Sequence, residues 1–246
     1  MSLDRILEAA RAAGLRDVGL TDHPFHEGLP HHHEALARAR AEREAAAINV
    51  WIGAELEVVG PERLILPPER LPLADYLLAA PSHYDLEHFP PVQNLNDPME
   101  WADRWLRDIE NVPGSGAHAI AHPFYVPEFV KPSGTRGDLP PLADVLAEMR
   151  PRRLEHLLDR LVEDQIALEI SPRAATHPDL EAFLESFYEK ALRRGMRFLL
   201  GSDSHRPSTI GHLGRAEDLL RRLGVRDEHL WHPRLLAERP RAAEAD

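Results

Sequence analysis

The sequence predicts one α/β domain over residues 1–237, with parallel strands closed as a barrel in preference to an open sheet. Three observations carry this. Apolar stretches of strand length alternate with segments of helical periodicity along the chain. No repeat, linker or shift in composition divides the 246 residues, a length common for a single barrel domain. Acids and imidazoles also recur where a strand stops, on the face where such barrels build their sites.

Leu3, Ile6, Leu7 and Ala10 recur at helical spacing and Gly14 is placed to end that helix, so a helix over residues 3–13 opens the chain. Residues 17–21 read as a short buried strand running into Asp22-His23-Pro24, where proline forbids further pairing. A His-rich loop, residues 26–33, precedes an Ala/Glu/Arg helix over residues 34–47. Residues 49–58 are the most strand-like stretch. There Trp51, Gly53, Glu55 and Glu57 alternate with Val50, Ile52, Ala54, Leu56 and Val58, which puts the acid Glu55 inside an otherwise apolar element. Gly60-Pro61 turns into a short return strand over residues 63–66. Residues 76–80 form a fourth strand ending in Pro81-Ser82-His83-Tyr84.

Trp101, Trp105, Ile109 and Val112 mark one face of a helix over residues 98–112. A small-residue strand, 116–121, ends in His122-Pro123-Phe124. The loop after it, with Lys131 and Arg136, is long enough to be a binding loop. Helices over 142–149 and 153–164 precede a strand at 166–170. The loop 171–178 then leads to a helix ending near Arg194-Gly195. The last strand, 196–200, delivers Gly201-Ser202-Asp203-Ser204-His205-Arg206. A final helix over 215–223 packs outside it, and the polar tail, 238–246, is expected to be mobile.

A net charge of −12, from 29 basic and 41 acidic residues, argues against a protein that tracks a nucleic-acid backbone. With no cysteine there is no disulfide and no thiolate metal site, so any metal must be held by His, Asp and Glu. No apolar run approaches the roughly 20 residues that cross a bilayer. The N-terminus lacks the apolar core of a secretory signal, so a soluble, cytoplasmic protein without a membrane partner is expected.

The candidate site gathers at the strand exits: His23, Glu55, His83, His122, Asp203 and His205. Asp203 and His205 are two apart in extended chain, so both side chains point the same way and can reach one ion. Singly, each residue has an ordinary alternative. Asp-His-Pro is more often a turn, Glu55 can be a half-buried acid on an edge strand, and His83 can cap its loop with Tyr84. Jointly, at the same end of successive strands, they outweigh coincidence. Four imidazoles and two carboxylates suit zinc, manganese or iron, and a carboxylate such as Glu55 can bridge two ions. Hydrolysis is the expected use, because metal-bound water has a pKa of about 7 and supplies hydroxide without a side-chain base. Ser202 and Ser204 have no base paired with them, so they read as hydrogen-bonding residues and not as nucleophiles.

Taken in order, Leu-Thr-Asp-His at 20–23, Gly-Ala-Glu at 53–55, Pro-Ser-His at 81–83, Ala-His-Pro at 121–123, Ala-Leu-Glu-Ile at 167–170 and Gly-Ser-Asp-Ser-His at 201–205 resemble the polymerase and histidinol phosphatase (PHP) superfamily of metal-dependent phosphoesterases. The resemblance implies a distorted (β/α)7 barrel with two to three divalent ions at its C-terminal face. It implies that Glu55 bridges two ions, with Asp203 on one and His83 and His122 on the other, while His23 and His205 serve a third. Asp22 would orient a ligand or a water. Arg206, beside the ligands, and Arg173, after the sixth strand, are placed to bind a phosphate bidentately. Lys131 and Arg136 could close over it.

The family pattern also has a His-x-His motif ending a first strand before the first helix, and residues 1–22 contain no histidine. The barrel is therefore expected to lack its first strand and up to three ligands. An upstream start and a degenerate member that binds without hydrolysing are both favoured over compensation by His26, His31, His32, His33 or His118. The expected function is a phosphoesterase that hydrolyses a small phosphomonoester, histidinol phosphate being the candidate, through metal-activated hydroxide. The alternative is a non-catalytic module that binds metal, a phosphate ligand or a protein partner. Asp203→Ala is expected to strip metal with little loss of expression, because the residue sits at a loop exit and not in the core. Elemental analysis of the variant checks this, and metal and activity that survive the change would refute the ligand assignment.

Overall fold

Strand polarity sets the architecture. In the structure, a computed structural model that describes residues 2–23, 48–66, 71, 74–81, 94, 96–125 and 139–237, six strands run parallel in one curled sheet, a half-barrel. Their order is β1 (Asp17–Leu20), β2 (Asn49–Gly60), β4 (Tyr76–Ala80), β5 (Ala119–Ile120), β6 (Ala167–Ile170) and β7 (Phe198–Leu200). The short β3 (Arg63–Leu64) returns antiparallel on β2, after an irregularity at Val58/Gly60. His26 to His33, the helix expected over 34–47, His83, Lys131, Arg136 and the tail 238–246 lie outside the described residues.

Period-two alternation divides each strand between two faces. The outer face carries Ala54, Leu56 and Val58, Leu77 and Ala79, Ile120, Leu168 and Ile170, and Phe198. It packs under α2 (Pro98–Glu110), α3 (Leu142–Ala147), α4 (Pro151–Glu163), α5 (Pro178–Arg193) and α6 (Ala216–Leu223). Trp101, Trp105 and Ile109 of α2 belong to this core, as their spacing predicts. Leu7 and Ala10 of α1 (Leu3–Ala12) cover Val18, Val50 and Ile52 as a smaller cluster.

Caps explain several boundaries. Asp97 accepts from the Met99 N–H at 2.9 Å with Pro98 at the first helical position, so α2 begins there. Gly14 and Gly224 take left-handed backbone just past α1 and α6. The strand expected over 116–121 shrinks to two residues, Gly116 standing outside it at φ +83° while His118 and Ala121 still bond to β4 at its two ends. None of the described helices is long and apolar enough to cross a membrane.

The inner face holds a feature that local pattern does not announce. Residues 224–237 carry no clear periodicity, yet Leu230 forms a parallel bridge to Phe198 and the Trp231 N–H donates to the Phe198 carbonyl at 2.8 Å. The indole then lies among Tyr76, Leu78, Ala119, Ala121 and Ala167, where three alanines leave room for it. Leu235 and Leu236 of α7 (Arg234–Ala237) follow it in. The Arg234 guanidinium reaches Asp17 at the start of β1, and that carboxylate also accepts from Asn49 and from the Trp51 indole. One segment thus ties β7 to β1. Trp231→Ala is expected to lower the unfolding free energy by about 3–5 kcal/mol, read as a lower urea midpoint. Arg234→Ala, at an exposed ion pair, should cost roughly 1 kcal/mol or less. A Trp231→Ala midpoint matching the wild type would remove the segment from the core.

Candidate functional site

Towards the C-terminal ends of the strands the inner face turns polar. Glu55 and Glu57 are two apart on β2 and therefore share the inward face. Glu55 does not stand at the end of its strand as the sequence suggested, because β2 runs on to Gly60 in its hairpin with β3. It lies near the end of the parallel ladder, whose last pair with β4 is Glu57↔Ala80.

His122, just past β5, meets Glu55 with Nε2 3.0 Å from Oε1, and both residues are buried. His23, just past β1, puts Nε2 3.7 Å from the same oxygen and Nδ1 3.3 Å from Oε1 of Glu57, which is wholly buried. The Asp22 carbonyl accepts from the Glu55 N–H at 3.0 Å and the Asp22 carboxylate from the His23 N–H at 2.9 Å. The turn is thereby fixed to β2. Phe124, two residues after His122, is held edge-on by Phe183 and Phe187 of α5, each at 5.1 Å, and this anchors the His122 turn.

A second group stands beside the first. Asp203 accepts from Nε of Arg173 at 2.7 Å through one oxygen, and its other oxygen is 3.2 Å from Nε2 of His205. Nη1 of Arg173 donates to the Tyr125 hydroxyl at 3.2 Å, and its guanidinium carbon lies 5.0 Å from the Tyr125 ring centre. That ring in turn meets the His122 imidazole edge-on at 5.9 Å. Tyr125 therefore joins the two groups. His205 and Arg206 are exposed, and the Arg206 carbonyl accepts from Thr209. Ser204 Oγ donates to the Thr209 carbonyl at 2.7 Å and lies 2.8 Å from Ser202 Oγ, a bonding pattern that shapes the loop.

The electrostatics favour positive charge here. Burial works against the imidazolium of His122, but the bond to Glu55 and the charges of Glu55, Glu169 and Asp203 outweigh it, so the imidazole pKa stands above its ordinary value. His23 behaves alike: burial opposes its charged form, and Glu57 and Glu55 more than restore it. Burial pushes the carboxyl of Glu169 up to about 7, against the pull of His122. The Tyr76 hydroxyl is also pushed up, by burial and by Glu169, Glu55 and Asp75.

Sequence reasoning passed over Glu57, Glu169 and Tyr125. Glu57 was legible, since it repeats the inward position of Glu55 two residues on. Glu169 was legible too, as an acid flanked by apolar residues on a strand, the same signal that marks Glu55. Tyr125 has no such signal.

The donors are imidazole nitrogens and carboxylate oxygens in surroundings that favour positive charge, a chemistry that fits a divalent cation. Among the described residues no group of three or more His, Asp and Glu is arranged to hold a metal ion. The donors fit in kind and meet in pairs, with His83 outside the described residues.

No protein-family model matches the sequence, and no curated protein matches it. Solved structures do. The histidinol phosphate phosphatase of Lactococcus lactis subsp. lactis, crystallised with zinc, L-histidinol and phosphate, superposes with a TM-score of 0.60 over 92% of this chain and 88% of that chain, at 21% identity. The chain shares its fold with that structure. A Listeria monocytogenes protein assigned as a histidinol phosphatase shares it, with a TM-score of 0.63 over 88% of this chain and 93% of that one, at 13% identity. At such identities the likeness is one of fold.

Within this fold the acid Glu169 has a measurable signature. Its carboxyl titrates near 7 when folded against an ordinary 4.5. Between those values the unfolded chain gives up the proton first, so this group's contribution to stability falls as pH rises. Glu169→Gln lacks the titration. In chelator, the variant is expected to gain on the wild type between about pH 4.5 and 7, read from urea midpoints at pH 5 and 8. A gap that is the same at both pH values would rule out the raised pKa.

Proposed function

We propose that this chain is a metal-dependent phosphoesterase that hydrolyses a small phosphomonoester of the histidinol phosphate kind. One observation carries the reading: the imidazoles of His23 and His122 face one buried oxygen of Glu55, at 3.7 and 3.0 Å, in a fold shared with a phosphatase crystallised with zinc, L-histidinol and phosphate. We read the six parallel strands as part of a distorted (β/α)7 barrel with two to three ion sites for zinc, manganese or iron.

Glu55, His122 and His23 would hold a divalent ion, together with His83, and Asp203 and His205 would serve alongside. A bound ion supplies Lewis acidity and makes hydroxide available near neutral pH. The chain's own residues do the rest. Glu57 faces Nδ1 of His23 and is placed to fix the ring tautomer, leaving Nε2 as the donor. Asp22 orients the same histidine through its main-chain N–H. The Arg173 fork is engaged by Asp203 and Tyr125 and would turn to phosphate oxygens if Asp203 were drawn to an ion, and the exposed Arg206 stands on the same loop as Asp203.

The second reading, a module that binds metal, a phosphate ligand or a protein partner without hydrolysis, draws on the pairing of Asp203 with Arg173 and on the pairwise arrangement of the described donors. Elemental analysis together with turnover on a panel of phosphomonoesters separates the two. The enzyme should carry at least one ion per chain and lose activity to a chelator, with recovery on adding metal back. His122→Ala should cost more than the roughly 10–100-fold typical of residues that merely support a ligand. Metal without turnover would support the binding module, and neither metal nor turnover would end the phosphoesterase reading.

A further inference from the structure

We propose that Glu169 is a positioning residue for this centre, one buried carboxylate that sets both the His122 turn and the Gly201 to Asp203 turn. The inference rests on the metal-dependent reading above. The ladder between β5 and β6 ends at Ile120↔Leu168, so the backbone at His122 has left the sheet while still buried. A buried N–H needs an acceptor, and Oε2 of Glu169 accepts this one at 2.6 Å. A short bond from a neutral N–H to a carboxylate is among the stronger hydrogen bonds a protein makes.

The other carboxylate oxygen lies against Gly201. A Cβ at Gly201 would stand 1.9 Å from Oε1 of Glu169 and 2.9 Å from its Cδ, so a side chain there would push the carboxylate out of place. Asp203 follows two residues later. The Tyr188 hydroxyl donates to the Glu169 carbonyl at 2.8 Å and secures this end of β6 to α5. Both turns carry a non-glycine residue at positive φ, His122 at +28° and Asp203 at +45°. Such backbone persists where its surroundings over-determine it, and the Glu169 side chain meets one turn at the His122 N–H and the other at Gly201. Its part is to aim His122 and Asp203.

The full chain is tested as wild type, Glu169→Gln, Glu169→Leu and Gly201→Ala. The readouts are zinc affinity by competition with a chromophoric chelator and the visible spectrum of bound cobalt(II), with folding followed by circular dichroism. Gln keeps an acceptor of the same shape and is expected to stay within a few-fold of wild type. Leu is expected to lose about 10–100-fold in zinc affinity. Gly201→Ala should lose affinity comparably and alter the cobalt spectrum. A purely structural role would lower stability without moving the affinity or spectrum of the folded protein. Wild-type affinity in folded Glu169→Leu overturns the proposal, and if that variant does not fold, wild-type affinity and spectrum in Gly201→Ala overturn it instead. A Gln variant as weak as Leu would place the effect in charge and overturn hydrogen-bond positioning. A wild type that takes up no zinc overturns the metal-dependent reading itself, and this inference with it.

Discussion

A carboxylate taken out of water must be hydrogen-bonded, matched by a cation or neutralised, and this sheet buries three of them, Glu55, Glu57 and Glu169, on its inner face. Their surroundings follow from that constraint. His122 and His23 meet Glu55 and Glu57, and a main-chain N–H meets Glu169. Burial pushes the Glu169 carboxyl up, with the charges of Glu55 and Asp203 adding to it, and the same acids make the imidazoles hold their protons longer than usual. The site is therefore a place where positive charge is welcome, and a divalent ion answers the same demand as the imidazolium protons it would displace.

The fold makes that concentration of acids possible by keeping the rest of the inner face small and apolar. Ala119, Ala121 and Ala167 admit the Trp231 indole from the C-terminal segment, and the Tyr76 ring lies so close over Gly19 and Gly53 that a Cβ at either would collide with it. The apolar packing excludes water below the acids. The polar end above them is built from loops, where side chains can be exchanged without repacking the sheet.

Arg173 links the chemistry to the scaffold. Its guanidinium lies between the Asp203 carboxylate and the Tyr125 hydroxyl, and Tyr125 touches His122. A cation held this near the imidazoles balances the buried acids and Asp203. The overall charge of −12 makes such a local cation more telling.

The sequence by itself determined the alternation of strands and helices, the two faces of each strand and the polar strand exits, because period-two and period-3.6 patterns and caps act within a few residues. Gly14 and the tryptophan face of α2 were legible for that reason. It also marked Glu55, His122, His23 and Asp203 as candidates by their place at strand ends. Only the tertiary structure decided which of them meet. Glu55 and His122 are 67 residues apart, Glu169 and His122 47, and Arg173 and Asp203 30. No local window holds those pairings, since they depend on strand order and on the register of each parallel ladder. The same holds for Trp231, whose place on the inner face is set by a bridge to Phe198 and by the space that alanines from two other strands leave open.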